Sequence, residues 1–297
     1  MTLNFKYFLK NIIINPVEGC KETYIDYKKD YNYKNFQNNT KKIWICGLPK
    51  SGTTLIEQIL DFLPYLRIDR SAFRTFPNKN NLNSLNFVKY TNHFPKNKFS
   101  YVKTHLEFNK NLVDHLKKNN FFIIVSLRDL RDAMISRYYH ILSDKKHWQH
   151  EIIKNESFEQ GFINSLTKDK SRFKNNSNFP EPLVNYYYWV KNWKAFNDEC
   201  IKKVWFEDFK KSPLEFIEGI LKFTNFKNFN SQIIFEGICN KNKNDKNVKL
   251  STKLKRKNKN VSTFRSGKVG EWKNLFTKKI EDEFNKIIPD DLNKILK

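Results

Sequence analysis

Four short stretches carry residue types and spacings that can do chemistry. The first, GLPKSGTT from Gly47 to Thr54, has two glycines five positions apart, the outline of a phosphate-binding loop. Between a strand and a helix, the N–H groups of Ser51, Gly52, Thr53 and Thr54 would point at an anion, aided by the helix dipole and the Ser and Thr hydroxyls. A triphosphate-binding loop needs a lysine directly after its second glycine to reach the β and γ phosphates. Thr53 holds that position here, and the lysine, Lys50, stands earlier, on the crest of the loop. A cation there can neutralise charge on a bridging oxygen, which matters when the bond that breaks is the one to a terminal group. An unliganded glycine turn is the other reading of the same residues.

The second stretch is VKTHLEF, Val102 to Phe108. A histidine past a strand end, His105, can take a proton from an attacking hydroxyl, because its pKa lies near neutrality. Lys103 can stabilise developing negative charge. A partly buried structural histidine fits His105 equally. The third stretch is SLRDLRDAMISRYYH, Ser126 to His140, in which a helix starting near Asp129 puts Asp132, Ser136 and His140 on one face, with Arg128 at the preceding strand end. An Arg and a hydroxyl so placed can grip a second phosphate, while Arg128 paired with Asp132 on the surface is the alternative. The fourth is FRSGKVGEWKNLF, Phe264 to Phe276, where two glycines, Arg265 and Lys268 can wrap an anion and Trp272 and Phe276 can anchor the following helix. A basic loop without a ligand is also consistent with it. His147 and His150, three apart, can share a helix face toward a metal, but no third ligand is in sight, and no metal is expected.

These stretches need a scaffold that brings them together, and the hydrophobic patterning provides one. Strand patterns occur at Lys41–Leu48, Ser100–His105, Phe121–Arg128 and Lys202–Asp208. Helix patterns lie between them: Leu55, Ile56, Ile59, Leu60 and Leu63 form one stripe, and Leu112, Val113 and Leu116 another. Further helices are predicted over Asp129–Leu142, Phe158–Leu166, EPLVNYYYWVKNWKAF and SPLEFIEGILKF, the last with a capping box from Ser212 to Glu215. Strands separated by helices imply a three-layer, P-loop-like α/β fold with a central parallel β-sheet flanked by helices on both faces. Ligands in such sheets sit at the carboxyl ends of the strands, where the first three stretches fall.

The 297-residue chain contains no Pro/Gly/Ser-rich linker and reads as a single domain, 1–297, with a variable segment 1–40, a core of about 41–276 and a carboxyl-terminal helix 277–297. Its 27 Phe, 13 Tyr and 6 Trp can fill a core, which excludes a disordered chain. The net charge of +24 raises nucleic acid, anionic membrane or an anionic small ligand as partners. Much of the excess is Lys interleaved with Asn, as in Lys241–Asn260, and reads as a solvated surface. The apolar runs near the start are short and broken by Lys6 and Lys10, leaving no signal-peptide core and no membrane span. Cys20, Cys46, Cys200 and Cys239 lack metal-ligand spacing, so a cytoplasmic protein is expected.

Taken in order, the four motifs resemble the cytosolic sulfotransferase family, which uses 3′-phosphoadenosine-5′-phosphosulfate as donor. The resemblance spans Lys41 to Phe276. It implies that Lys50, Ser51, Gly52, Thr53 and Thr54 hold the 5′-phosphosulfate, and that Arg128 and Ser136, with Arg265, Ser266 and Gly267, hold the 3′-phosphate. It assigns His105 the role of base, with Lys103 nearby, in an in-line attack by an acceptor hydroxyl or amine. Ser136 would also restrain Lys50 until acceptor arrives. WFEDFKKSP looks like the family's YED segment, with Phe206 in the tyrosine's place. Leu55 stands where the family often carries a Trp that stacks on adenine, Ser266 replaces a usual Lys and Glu107 a common Pro. The implied acceptor is a small molecule, lipid or glycan, bound by the variable stretches Asn78–Lys98 and His147–Phe179. No specific nucleic acid is expected as partner, and no copy of the family's dimerisation motif is evident. Two rivals are a P-loop kinase, which needs the Walker lysine and Mg²⁺, and a basic nucleic-acid-binding protein without catalysis.

Overall fold

A computed structural model describes residues 42–63, 66–68, 91, 100–167, 182–226, 229–240 and 267–288. In chain order the elements are β1 (Lys42–Gly47), α1 (Thr53–Asp61), β2 (Arg67–Ile68), β3 (Ser100–Thr104), α2 (Lys110–Lys118), β4 (Phe121–Leu127) and α3 (Leu130–Ser143). They continue with α4 (His150–Ile153), α5 (Phe158–Leu166), α6 (Pro182–Ala195), β5 (Ile201–Trp205), α7 (Phe206–Lys211) and α8 (Pro213–Phe223). A helix over 231–240, α9, is followed by α10 (Trp272–Leu275) and α11 (Lys278–Ile287). The five strands lie in the order β2-β3-β1-β4-β5 and every pairing is parallel. The chain leaves β1 toward one edge and returns to pair β4 on its other side, so the order reverses at β1, and the crevice at its carboxyl end is where a ligand fits.

Alternation along the central strands builds a core on each face of the sheet. Trp44, Cys46, Val102, Ile123 and Val125 pack with Leu112, Val113 and Leu116 of α2, Met134 of α3 and Trp189 and Trp193 of α6. Ile43, Ile45, Tyr101 and Ile124 pack on the opposite face with Ile56, Ile59 and Leu60 of α1, Ile217 and Ile220 of α8 and Ile234 and Ile238 of α9. This is the parallel sheet with helices on both faces that the strand and helix patterns imply. The indole of Trp44 donates to Thr104 Oγ1 at 2.9 Å, satisfying a buried polar atom between β1 and β3.

Several boundaries differ from expectation. The last strand ends at Trp205, and Phe206 opens α7. Glu207 and Asp208 in its first turn and Lys210 and Lys211 in its last complement the helix dipole, which outweighs the strand propensity of the aromatic pair. Ser212 closes α7 by donating its amide to Asp208 O at 2.8 Å, and it also opens α8. Serving two helices, it makes no side-chain cap bond, so the expected capping box is not formed there. Residues 1–40, most of Asn78–Lys98, 168–181, Arg265, Ser266 and 289–297 lie outside the described residues, and expectations about them carry no structural account.

Candidate active site

The loop after β1 takes its shape from close packing. A Cβ on Gly47 would sit 1.9 Å from Thr53 Cγ2 and 3.2 Å from Ser126 Cβ, so glycine alone lets the returning helix approach the strand end. Lys50 at φ 71° and Gly52 at φ 93° turn the chain, and Gly52 caps α1 with no side-chain hydrogen bond. The first-turn amides of a helix have no partner inside it, so the N-terminus of α1 is a ready anion site. Ser51, expected among the donors to that anion, is engaged within the loop itself. Its amide donates to Leu48 O at 3.0 Å and its hydroxyl to the same oxygen at 2.7 Å, and the residue is buried. Its work is to close the turn. Ser126 of β4 holds the loop from beneath, its Oγ donating to Ser51 O at 2.8 Å. Thr53 is buried against Gly47, while Thr54 is exposed.

His105 follows β3 directly, and the parallel register pairs Thr104 with Cys46, which sets His105 level with Gly47. The ring Nδ1 lies 2.6 Å from Gly47 O. A carbonyl can only accept, so Nδ1 carries the hydrogen, and in the neutral ring Nε2 holds the lone pair. The imidazole is thus joined to the first residue of the glycine loop in the tautomer that a proton acceptor requires. Lys103 is engaged elsewhere, in an ion pair with Glu57 of α1.

Arg128 and α3 form the third part. Asp129 caps α3, accepting from Arg131 N at 2.9 Å. Arg128 is buried, and it donates from Nη1 to Lys50 O at 3.1 Å and from Nη2 to Lys268 O at 2.9 Å. It therefore bridges the glycine loop and the carboxyl-terminal loop. Asp132, the alternative surface partner of Arg128, is only 1% exposed and accepts instead from Gly270 N at 2.6 Å and Trp272 N at 3.1 Å. Burial raises its carboxyl pKa, although those two amides and Arg128 pull it down. Ser136 and His140 follow at successive turns of the same face. The His140 pKa is lowered, chiefly by burial and then by the charge of Lys50. Gly267, at φ 60°, is the first described residue of the carboxyl-terminal motif, and Arg265 and Ser266 lie outside the described residues.

Phe206, expected in the place of the family's tyrosine, touches the glycine loop, and Glu207 beside it was not anticipated. The Phe206 ring lies so close to Gly52 that a Cβ there would be 2.7 Å from its Cδ2, and the Arg128 guanidinium stands 4.8 Å over the same ring. Glu207, next in the chain, accepts from Asp129 N at 2.9 Å, and burial pushes its carboxyl up. The acidic first turn of α7 was the available signal for it. His147 and His150 are absorbed locally: His150 Nδ1 lies 3.0 Å from Ile141 O, and His147 Nδ1 accepts from Gln149 N at 3.1 Å. Among the described residues no group of three or more His, Cys, Asp or Glu could hold a metal, and no helix is long and apolar enough to cross a membrane.

Comparison with known proteins places this arrangement. The chain is 28% identical over 276 residues to Sulfotransferase 1C2 of Rattus norvegicus, covering 85% of this chain and 83% of that protein. It is 26% identical over 283 residues to Sulfotransferase 1 family member D1 of Mus musculus, covering 88% of each. Among solved structures, mouse sulfotransferase SULT7A1 complexed with PAP superposes with a TM-score of 0.57 at 16% identity, covering 88% of this chain and 90% of that one. Retinol dehydratase in a complex with retinol and PAP gives 0.51 at 18%, covering 90% and 85%. At those identities the structural likeness is one of fold. The sulfotransferase domain family matches residues 40–295, and the chain belongs to that family of sulfuryl-transferring enzymes.

Proposed function

We propose that this protein transfers the sulfuryl group of 3′-phosphoadenosine-5′-phosphosulfate to a hydroxyl or amine of a small-molecule, lipid or glycan acceptor, with His105 as general base. The observation that carries the reading is the bond from His105 Nδ1 to Gly47 O, which ties a base to the loop that would hold the donor. The residues present fit such a donor: a glycine-opened helix N-terminus, Lys50 on the loop crest and Arg128 between two loops are arranged for a nucleotide with two anionic ends. When bound, the donor supplies an electrophilic sulfur and a bisphosphate leaving group.

The chain's own residues then divide the work. The first-turn amides of α1 bind the 5′ end, with Thr53 and Thr54 adding hydroxyls. Lys50 balances charge on the oxygen that departs. His105, its Nδ1–H fixed on Gly47, takes the acceptor's proton at Nε2. The Phe206 ring closes over Gly52, and Arg128, Ser136 and the Arg265–Gly267 segment bind the 3′-phosphate. Lys103 has a lesser part, since its ammonium is balanced by Glu57. The likeness to folds solved with PAP supports the donor assignment. A cytoplasmic location accords with this donor.

Thermal unfolding tests the reading directly. 3′-Phosphoadenosine-5′-phosphate is expected to raise Tm by several degrees at concentrations well above Kd, while ATP with Mg²⁺ does little. Equal stabilisation by both nucleotides would indicate a generic phosphate site and favour a kinase. Labelled donor incubated with a cell extract then identifies the acceptor through the labelled product.

A further inference from the structure

We propose that Asp132 is a positioning residue that pins the carboxyl-terminal loop to α3, and so fixes the place where a ribose 3′-phosphate is gripped. The inference rests on the nucleotide reading above for its ligand, but the pin itself does not. From Gly267 to Glu271 the chain has neither strand nor helix, and both of its glycines have positive φ, 60° at Gly267 and 72° at Gly270. Local backbone preference therefore does little to set its path. Contacts with Arg128 and the first turn of α3 do. Lys268 O accepts from Arg128 Nη2 at 2.9 Å, Gly270 N donates to Asp132 Oδ2 at 2.6 Å, and Trp272 N donates to Asp132 Oδ1 at 3.1 Å. The Arg131 guanidinium covers the Trp272 indole at 3.6 Å.

Asp132 is the centre of this clasp. Each carboxylate oxygen takes one amide from a segment about 140 residues away in sequence, and the side chain is fully enclosed. Charge-assisted bonds to backbone amides are stronger than neutral ones, and only an acidic side chain offers two acceptors at this spacing. Asp132 lies in the first turn of α3, one turn before Ser136 and just beyond Arg128, which precedes the helix cap. Gly267 adjoins Lys268, whose carbonyl Arg128 holds. Pinning Gly270 and Trp272 thus keeps the Gly267–Lys268 stretch against Arg128, the residue assigned to the 3′-phosphate, where β4 gives way to α3.

Asp132→Asn tests this with little change of size, because it turns one amide acceptor into a donor facing an amide. The variant is expected to bind 3′-phosphoadenosine-5′-phosphate about tenfold or more weakly by calorimetry, whereas adenosine 5′-phosphate, lacking the 3′ group, changes by less than about twofold. Hydrogen exchange without nucleotide should show the amides of Gly270 and Trp272 opening at least about tenfold faster. Arg131→Gln, which leaves the buried carboxylate in place, is expected to show the same selective loss to a smaller degree, and it carries the test if Asp132→Asn does not fold. Equal weakening of both nucleotides would mean general distortion and overturn the proposal, as would unchanged affinity and exchange. If the wild-type protein does not prefer the bisphosphate over the 5′-phosphate, the nucleotide reading fails, and exchange at Gly270 and Trp272 alone decides whether the pin exists.

Discussion

His105 and Lys50 flank the same loop and are expected to fail differently when removed. The imidazole acts on the acceptor side of the sulfur and is held by a backbone carbonyl, not by the donor. His105→Ala should lower single-turnover rate by roughly a hundredfold or more with donor affinity nearly intact. Lys50→Ala should reduce both donor affinity and rate, with rate falling further, because charge on the departing oxygen grows as the bond breaks. A His105→Ala enzyme with near-normal turnover across neutral pH would return the residue to a structural role, and its bond to Gly47 O would then serve only to tie β3 to β1. Residue types alone left that choice open, since a strand-end histidine looks the same in either role. Its tautomer depends on Gly47, 58 positions away, and becomes visible only when β1 and β3 are in register.

At the scale of elements, the site is a meeting of three starts: α1 at Gly52, α3 at Asp129 and α7 at Phe206. Gly52 is where two of them touch, and Gly52→Ala tests that contact. The new methyl would be strained at φ 93° and would meet the Phe206 ring at 2.7 Å, for a combined cost of about 1–3 kcal/mol in urea unfolding. Donor affinity should fall with it. Adding Phe206→Ala should recover the steric share but not the backbone share, so a double-mutant cycle should give a clear coupling, and strict additivity would show that ring and loop are independent. Much of this level was legible in advance. Long periodic elements such as α2 and α5 announced themselves through Leu112, Val113 and Leu116 or through Phe158 to Leu166, and the parallel sheet followed from their alternation with strands. What escaped were features set by contacts distant in sequence. Asp132 entered only as an alternative surface partner for Arg128, because the partners it has, Gly270 and Trp272, are backbone amides that no side-chain pattern reveals. The bond from Ser51 to Leu48 O was likewise hidden, because it depends on the turn that Lys50 and Gly52 make. Phe206 read as strand because aromatic residues favour strands, and the charge pattern of α7 decided otherwise.

For the whole molecule, the net charge of +24 attracts an anionic donor but works against the compact state as more protons bind. His140 of α3 and His147 beyond it in the chain make that balance depend on pH. His147 is held down to about 4, chiefly by burial and then by the Arg137 charge, and His140 is lowered by burial and Lys50. A histidine whose folded pKa is depressed contributes stability that is present above its unfolded value, near 6.5, and lost as pH falls through the folded value. Between about 6.5 and 4 the unfolded chain binds the proton that folded His147 refuses. Glu207 and Asp132 act in the opposite sense: burial raises their carboxyls, so their contribution is present at low pH and lost as pH rises through the folded values. The observed profile is therefore a difference, and a variant is needed to isolate the histidine part. His147→Gln removes the titration while keeping an acceptor for the Gln149 amide. Urea unfolding at a series of pH values should show the stability of wild type relative to this variant declining as pH drops from about 6.5 toward 4. A relative stability that stays level across that range would mean that His147 titrates alike in both states, and that acid sensitivity comes from the positive charge spread over the rest of the surface.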